Sequence, residues 1–495
     1  MSQRARAIAE LLQYGLQQHS AGALQQAELA YRKVLATAPR HPDALHLLGM
    51  LAQQRGQGEA ALGLIRRAIA EKPQTAMYHF NCGNVLSALG RIDEAIESYQ
   101  TARRRNPNFP DLYTGLGLAL RAANRLVEAE ESLREAVRRA PADASVHCNL
   151  GSLLSDSGRL EEAEQCFREA VRLSPESAEY PYNLGMLHLL TGRLQEGFAG
   201  YQHRWQVPPL VPRPFKQPQW RGEPLGGRVL LLHAEQGMGD TLQFCRYLPL
   251  IDPAAAVILE VQRPLVRLMR SLPGVRQIVA AGDTLPPFDV HCPLMSLPCA
   301  FGTELDTVPA SIPYLHADPA DAAVWRERLA PYGGLRVGLV WAGKPDLQEV
   351  DRKRSLHFDQ LAPILDLDGV TLVSLQKGPA AAQIAPSRHG AAVLDWTADL
   401  SDFADTAGLV ANLDLVIGVD TSTTHLAGAL GKPVWLLNRF NTCWRWLLDR
   451  DDSPWYPTLR QFRQKQPGDW AGVLAEVRAA LKQETAGRIA APAVL

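Results

Sequence analysis

Residues 144–177 read ASVHCNLGSLLSDSGRLEEAEQCFREAVRLSPES. Several residues of this stretch recur along the first half of the chain at a constant spacing. Pro175 continues a series of Pro39, Pro73, Pro107 and Pro141 and is followed by Pro209, each 34 residues from the last. Gly151 belongs with Gly15, Gly49, Gly83, Gly117 and Gly185. Ala163 belongs with Ala27, Ala61, Ala95 and Ala129, and Gly197 closes that series. Four residues after each alanine stands a bulky side chain: Tyr31, Ile65, Tyr99, Leu133, Phe167 and, in the last unit, Tyr201. Coincidence at one period in six units leaves chance no part in it.

A 34-residue period is that of the tetratricopeptide repeat, a helix–turn–helix unit. The slots have physical reasons. Glycine and alanine sit where two antiparallel helices cross closely, and the bulky residue fills the groove between units. The proline is expected to open the next helix, where a missing N–H costs little. Six units result, 8–41, 42–75, 76–109, 110–143, 144–177 and 178–211. Such arrays stack into an α-superhelix with a concave face suited to protein or peptide. Asn81, Asn149 and Asn183 share one inner-helix slot, two residues before the repeat glycine. An amide both donates and accepts, so these asparagines are candidates for holding an extended acceptor peptide. The other reading is that they satisfy local backbone or solvent. Gln13, Leu47 and Gly115 take the slot in the remaining units and interrupt the ladder.

The sixth unit departs from the pattern at Gly197 and Arg204-Trp205, as a capping repeat does. It is expected to dock on the domain C-terminal to it. Residues 206–226, QVPPLVPRPFKQPQWRGEPLG, contain six prolines and make a stiff connector rather than a leash. We place the connector proper at 212–226, with the repeats occupying 1–211.

From residue 228 the pattern changes to short apolar runs separated by helical stretches. The runs are RVLLLH (228–233), AVILEV (256–261), RVGLVWAG (336–343), VTLVSLQ (370–376), AAVLDW (391–396), DLVIGVD (414–420) and PVWLLN (433–438). Continuous apolar strands alternating with helices indicate parallel sheets covered on both faces. Two series, 227–330 and 331–495, are each one sheet in size, giving a pair of Rossmann-like α/β domains. Ligands in such folds lie beyond the carboxyl ends of the strands.

The whole composition agrees. The chain has 495 residues, 46% of them hydrophobic, with 51 Lys+Arg against 52 Asp+Glu and a net charge of −1. That is ample for packed cores and excludes wholesale disorder. It also lacks the basic excess of a nucleic-acid binder. The seven cysteines (Cys82, Cys148, Cys166, Cys245, Cys292, Cys299, Cys443) form no CxxC pair, so neither a zinc site nor a disulfide framework is expected. MSQRARAIAELLQYG has no apolar core, and no stretch reaches the ~18–20 apolar residues of a membrane span, so a cytoplasmic protein is expected.

Three strand-end loops carry candidate chemistry. In Ala234-Glu235-Gln236-Gly237-Met238-Gly239-Asp240-Thr241, Gly237 and Gly239 let the backbone turn tightly and approach a ligand. Asp240 lands at a helix start, where it is either an N-cap or a reactive carboxylate. The loop matches neither the dinucleotide fingerprint nor the phosphate loop. Trp341-Ala342-Gly343-Lys344, then Asp351-Arg352-Lys353-Arg354-Ser355, offers cations for a diphosphate, or else a solvated charged loop. Gly418-Val419-Asp420-Thr421-Ser422-Thr423-Thr424-His425 runs a strand into a small-residue helix. Its free N–H groups and hydroxyls suit an anion, with His425 one turn in; a well-capped helix with a core histidine is the plainer reading.

Together VLLLHAEQGMGDTLQF, GLVWAGK, DRKRS and GVDTSTTHLAGALGKPVWLL resemble the bacterial heptosyltransferase family of GT-B glycosyltransferases (glycosyltransferase family 9 type). More closely, the chain resembles bacterial proteins that join tetratricopeptide repeats to such a domain, including flagellin and surface-protein glycosyltransferases. Its layout is similar to that of eukaryotic protein O-linked N-acetylglucosamine transferase. The resemblance implies an α-superhelical repeat array and, after it, a GT-B domain pair. It implies Asp240 as the base that deprotonates the acceptor, and Lys344 and Arg354 on the donor diphosphate. Thr421, Ser422 and Thr423 would hold the phosphates, with Asp420, Thr424 and His425 beside them and His425 a catalytic residue together with Asp240. Gln376 and Lys377, at another strand end, would lie near the nucleoside. A lysine is expected near Arg352–Arg354, and the resemblance leaves open which basic residue there does that work.

The resulting expectation is a metal-independent glycosyltransferase with no cofactor beyond its nucleotide-sugar substrate. It would move the sugar to Ser or Thr of a protein acceptor held by the repeats. Two alternatives stand beside it: a repeat scaffold with a degenerate GT-B domain, and a lipopolysaccharide heptosyltransferase-like enzyme, which leaves six peptide-binding repeats unexplained.

Overall fold

The computed structural model describes residues 3–109, 111–344 and 353–490, the side chains of 487–490 excepted. It forms two compact units, Met1–Leu184 and Gly185–Leu495, so the division falls inside the sixth repeat.

The helices of the repeats are α1 (Gln3–Ser20), α2 (Leu24–Thr37), α3 (Pro42–Gln54), α4 (Gly58–Glu71), α5 (Ala76–Ala88), α6 (Ile92–Arg105), α7 (Leu112–Ala122), α8 (Leu126–Arg139), α9 (Ala144–Asp156), α10 (Leu160–Leu173), α11 (Glu179–Leu190) and α12 (Leu194–Tyr201). Within a hairpin the repeat glycine lies under the bulky residue of the second helix. A Cβ on Gly15 would stand 2.5 Å from the Tyr31 ring, on Gly83 2.7 Å from Tyr99, and on Gly151 3.0 Å from Phe167. The slot alanines 27, 61, 95, 129 and 163 are all fully buried at the crossings. In the sixth hairpin Gly185 faces the backbone of Gly200 instead, where a Cβ would stand 2.8 Å from the Gly200 Cα, and the helices close directly on each other.

The repeat prolines do something other than open helices. Pro39 lies in the turn before α3, which begins only at Pro42, and the same holds at Pro73, Pro107, Pro141 and Pro175. Each occupies the second position of a turn closed by a backbone bond, as in His41 N to Ala38 O at 3.0 Å and Asp143 N to Ala140 O at 3.1 Å. Proline's fixed φ suits that position, and its missing N–H is not needed there. A second series at the same period ends the first helix of each hairpin: Gly22, Gly56, Gly90, Gly158 and Gly192, with Asn124 in the fourth unit, all at positive φ between 59° and 81°. Glycine and asparagine are the residues that tolerate this left-handed helix exit.

The second unit contains two all-parallel sheets. The first has strands β1 (Val229–His233), β2 (Ala256–Val261), β3 (Val275–Ala280) and β4 (Val290–Pro293) in the order β3-β2-β1-β4. The second has β5 (Leu335–Val340), β6 (Val370–Ser374), β7 (Val393–Leu394), β8 (Leu415–Val419), β9 (Val434–Asn438) and β10 (Leu459–Arg463) in the order β10-β9-β8-β5-β6-β7. Trp341, Phe358 and Val477 are fully buried in the core of the second sheet, which helix Trp470–Ala490 covers on one face. Helix Pro319–Leu329 packs on helix Phe403–Ala411, with the Asn412 amide donating to Ala322 O at 2.8 Å, and so belongs with the second sheet.

The proline-rich connector is not a free spacer. Gln219 bridges His291 of β4 in parallel register; Trp220 N donates to His291 O at 2.7 Å and His291 N to Pro218 O at 3.1 Å. Arg213 pairs with the buried carboxylate of Glu260 near the end of β2. Among the described residues, no helix is long and apolar enough to cross a membrane.

Two buried histidines give the fold an acid limb. Burial holds His46 down at about 4; burial, with the charges of His291 and Arg213, holds His233 down at about 3. Each is neutral when folded and binds a proton near 6.5 once unfolded. For a base, a folded value below the unfolded one means acid favours unfolding. Stability that is complete above 6.5 therefore falls as pH drops toward those lower values, by roughly 1.4 kcal/mol per pH unit for each group. Thermal midpoints are expected to decline already between about pH 6.5 and 5, before carboxylates titrate. His46→Gln should flatten that decline in the first unit; an unchanged slope would remove His46 from the account.

Candidate functional site

Strand order locates the site. In the first sheet the chain reverses its direction of progress between β1 and β4, and in the second between β5 and β8. Crevices open outside the carboxyl ends of strands at such switch points. The loops there are 234–237 after β1, Trp341–Lys344 after β5 and Asp420–Thr421 after β8, the three that the sequence singles out.

Helix α13 (Met238–Phe244) leaves the first loop. Asp240 sits in its first turn and caps it: Gly237 N donates to Asp240 Oδ2 at 2.9 Å. The other oxygen, Oδ1, is ion-paired with Arg445 Nη2. One oxygen of Asp240 thus caps the helix, and the other is paired with a guanidinium. Gly239 brings α13 against helix Ser422–Ala429. A Cβ there would lie 3.0 Å from the His425 ring and 3.4 Å from Ser422 Cα. The two glycines therefore serve as an N-cap without a side chain and as a point of close approach.

Helix Ser422–Ala429 starts at the N-cap Thr421. Thr421, Ser422 and Thr423 are half-buried, around the unfilled N–H groups of the first turn. Thr424 does not join them. It is fully buried and its hydroxyl donates to Val419 O at 2.7 Å, which spends the donor inside the fold. Asp420 lies beside the turn, with its carbonyl accepting from Arg354 Nη1 at 2.8 Å. His425 Nε2 stands 3.5 Å from Asp420 Oδ1 and Nδ1 2.9 Å from the Tyr456 hydroxyl, while the ring stacks on Trp446 at 5.2 Å. Burial alone would raise the Asp420 carboxyl. The His425 contact and the charges of Arg445 and Arg354 outweigh burial and hold it well below the usual carboxylate range.

Arg354 is thus at the site. Lys344 is exposed at the end of the loop after β5, and Asp351 and Arg352 lie outside the described residues. Gln376 and Lys377 are braces. Gln376 is buried, accepts from Trp341 N at 2.9 Å and Ala342 N at 2.8 Å, and donates to Ala342 O at 3.0 Å and Lys377 O at 2.9 Å. Lys377 Nζ donates to Thr397 O at 2.6 Å and Leu400 O at 2.9 Å. These bonds shape the loop after β5 and the turn at 397–400.

Sequence reasoning passes over Arg445. It lies beyond β9 in Trp444-Arg445-Trp446, with its guanidinium 4.4 Å above the Trp444 ring and Nε donating to Gln243 Oε1 at 2.9 Å. Burial would loosen its proton, but the Asp240 charge overcomes this and keeps Arg445 firmly protonated. An arginine between two tryptophans beyond a strand end is the available signal.

On the repeats, Asn81, Asn149 and Asn183 are half-buried. The Asn81 amide lies 2.8 Å from His46 Nε2, and Asn183 Nδ2 donates to Cys148 Sγ at 3.2 Å, so two of the three already have a partner on the preceding inner helix. At the fourth unit the ladder is interrupted for a steric reason. A Cβ on Gly115 would stand 3.0 Å from Tyr99 and 3.3 Å from Phe80, whose rings fill the space an asparagine would take.

Comparisons with known proteins agree with the helical half. The family model described as Tetratricopeptide repeat matches residues 82–144 and 148–205, and that of Anaphase-promoting complex, cyclosome, subunit 3 matches 20–102. The first unit is a tetratricopeptide repeat array. The chain is similar to Protein FlbA of Caulobacter vibrioides (strain ATCC 19089 / CIP 103742 / CB 15), 31% identical over 314 residues that cover 58% of this chain and 52% of FlbA. The chain thus spans about half the length of that relative. Among solved structures, PilF of Pseudomonas aeruginosa is 21% identical with a TM-score of 0.38, covering 42% of this chain and 95% of its own. TTC0263 of Thermus thermophilus, a thermophilic repeat protein, is 22% identical with a TM-score of 0.33, covering 37% and 100%.

Proposed function

We propose that this protein is a glycosyltransferase of the GT-B type, which takes a sugar from a nucleotide-sugar donor and places it on a protein acceptor bound by the repeats. One observation carries the reading. The helices that leave switch-point loops of two separate parallel sheets meet, with Gly239 of one packed against Ser422 and His425 of the other. A donor held at the second sheet would therefore lie under a carboxylate presented by the first.

In this reading the acceptor hydroxyl oxygen bonds to the anomeric carbon as the bond from that carbon to the diphosphate oxygen breaks. The hydroxyl proton passes to Asp240, and the electron pair stays on the departing diphosphate. Charge develops there, where fixed N–H groups of the 421–423 turn and the cations Arg354 and Lys344 favour it. Asp240 must be released from Arg445 to accept a proton. A diphosphate arriving beside Asp420 supplies Arg445 with a competing anion. A protein acceptor fits a tetratricopeptide array, which binds extended peptide on its concave face.

The test is a thermal-shift panel of UDP, GDP, ADP, CDP and CMP, because stabilisation follows affinity and needs no acceptor. At least one is expected to stabilise the second unit. A flat response to all five would favour the scaffold reading. Thr421→Ala/Ser422→Ala is expected to weaken the nucleotide that binds by roughly 10-fold or more, since hydrogen bonds to charged groups are each worth ~1.5–3 kcal/mol. Calorimetric affinity equal to wild type would remove these hydroxyls from the anion site.

A further inference from the structure

The end of the last repeat is built into the loop that leads to the helix carrying Asp240. Arg204 lies in the short 3-10 turn Gln202–Gln206 immediately after α12, and it is 0% exposed. Its Nε and Nη2 donate to the two oxygens of Glu235, both at 2.9 Å. Nη2 also donates to Ser296 Oγ at 2.8 Å, and Nη1 to Tyr201 O at 3.1 Å. The rings of Tyr201 and Trp205 lie 4.7 and 4.6 Å from the guanidinium carbon.

Glu235 is held from a second side, where Oε1 accepts from Met295 N at 3.1 Å just beyond β4. Gln236 donates from Nε2 to the Tyr201 hydroxyl at 2.6 Å. Gln262, beyond β2, donates to Gln236 O at 2.9 Å and accepts from the Thr241 hydroxyl at 2.9 Å. The backbone and side chains of 235–236 are therefore fixed by the repeat end and by two strand ends, directly before the turn that presents Asp240.

Burying an arginine and a glutamate together is a poor route to stability, because desolvating each ion costs several kcal/mol and apolar residues of equal volume pack as well. A guanidinium does give direction, because its planar fork fixes both oxygens of a carboxylate. The same segment reaches the Arg445 loop. Phe198 of α12 meets Phe244 of α13 edge-on at 6.3 Å and Trp444 at 5.5 Å. Helix α12 and its turn thus touch both elements that carry the Asp240–Arg445 pair.

We propose that Arg204 is a positioning residue for the transfer reaction, and that the catalytic module begins within the sixth repeat, at α12, rather than beyond the connector. Arg204 acts through Glu235, setting where the first turn of α13 stands relative to Ser422 and His425. The role in transfer rests on the glycosyltransferase reading, whereas the rigidity it confers on 235–240 does not.

The experiment uses the full chain and two variants. Arg204→Met/Glu235→Leu replaces the ion pair by apolar packing, and Arg204→Lys keeps the charge but loses the fork. In both, peptide-resolved hydrogen exchange is expected to speed up about 10-fold or more at 235–240 while β1 keeps its protection. With an active donor and acceptor, kcat should fall roughly 10- to 100-fold and the nucleotide KM change by less than about 2-fold, as misplaced geometry predicts. If the double variant does not fold, Arg204→Lys decides alone. Wild-type exchange at 235–240 in a folded variant would overturn the proposal, as would wild-type kcat despite faster exchange. If no nucleotide of the panel binds and no donor is turned over by the wild type, the glycosyltransferase reading fails and the positioning role falls with it. Faster exchange at 235–240 would then still establish Arg204 as the anchor of that loop.

Discussion

Asp240→Asn is expected to reduce sugar transfer by roughly 10²- to 10⁴-fold, the range over which a positioned general base contributes, while nucleotide affinity changes little. Asparagine keeps an oxygen for Gly237 N, so the first turn of α13 remains capped. What it loses is the negative charge facing Arg445 and the capacity to take a proton. These two losses are separable. If Asp240 serves only to hold Arg445, then Arg445→Met should reproduce the asparagine phenotype, with donor affinity and rate falling together. If Asp240 is the base, Arg445→Met should weaken the donor far more than it slows transfer from a saturated donor. Transfer at the wild-type rate in Asp240→Asn would end the assignment.

Arg246→Ala is expected to destabilise the second unit by about 4 kcal/mol, the scale of leaving several buried hydrogen-bond partners unsatisfied and a large side-chain volume empty. Arg246 is nearly wholly buried. It donates to Gln243 O at 2.8 Å, to the Tyr314 hydroxyl at 2.8 Å and to Trp455 O. Its guanidinium carbon lies 4.6 Å from the Tyr314 ring and 4.5 Å from the Tyr456 ring. Removing it takes a donor from the carbonyls of Gln243, Pro309 and Trp455 and empties an aromatic cage. Arg246→Met keeps much of the stem packing and should cost less than alanine. Urea unfolding monitored by tryptophan fluorescence reports directly, because Trp455 lines the cage. The loss should reach the site as well, since Tyr456 also holds His425 Nδ1. An alanine variant as stable as wild type would mean that the cage relaxes around the gap.

The parts of this fold that the sequence discloses are those where one physical requirement dominates. β1, β2, β5, β6, β8 and β9 are covered on both faces, and each is a mostly apolar run. β3 (VRQIVA) and β10 (LRQFR) are edge strands interrupted by polar residues, and β4 (VHCP), also at an edge, is four residues ending in proline. These three carry no apolar signal, and the pattern of runs passes over them. The repeats announce themselves because glycine under a bulky partner admits no alternative. Their prolines are equally periodic, but a fixed φ suits a turn as well as a first helical residue, and periodicity cannot tell the two apart.

At the site, sequence locates loops better than it assigns side chains. Glycines and hydroxyls mark the strand ends. Whether a polar group there faces a ligand or a buried carbonyl depends on its surroundings, and Thr424 and Gln376 both turn inward. Arg445 meets Asp240 from 205 residues away, a relation that no local pattern encodes.

The strap of residues 218–220 along β4 also protects the protein from itself. β4 is an outer strand of its sheet, and its main-chain groups would otherwise face water as a template for any passing strand. The connector occupies that template with the chain's own backbone and with prolines that cannot extend the ladder further. A chain begun at 227 would bare this row of donors and acceptors along with the apolar surface that Trp220 covers. Its fate in concentrated solution would then be set by sticking between copies rather than by the stability of either sheet.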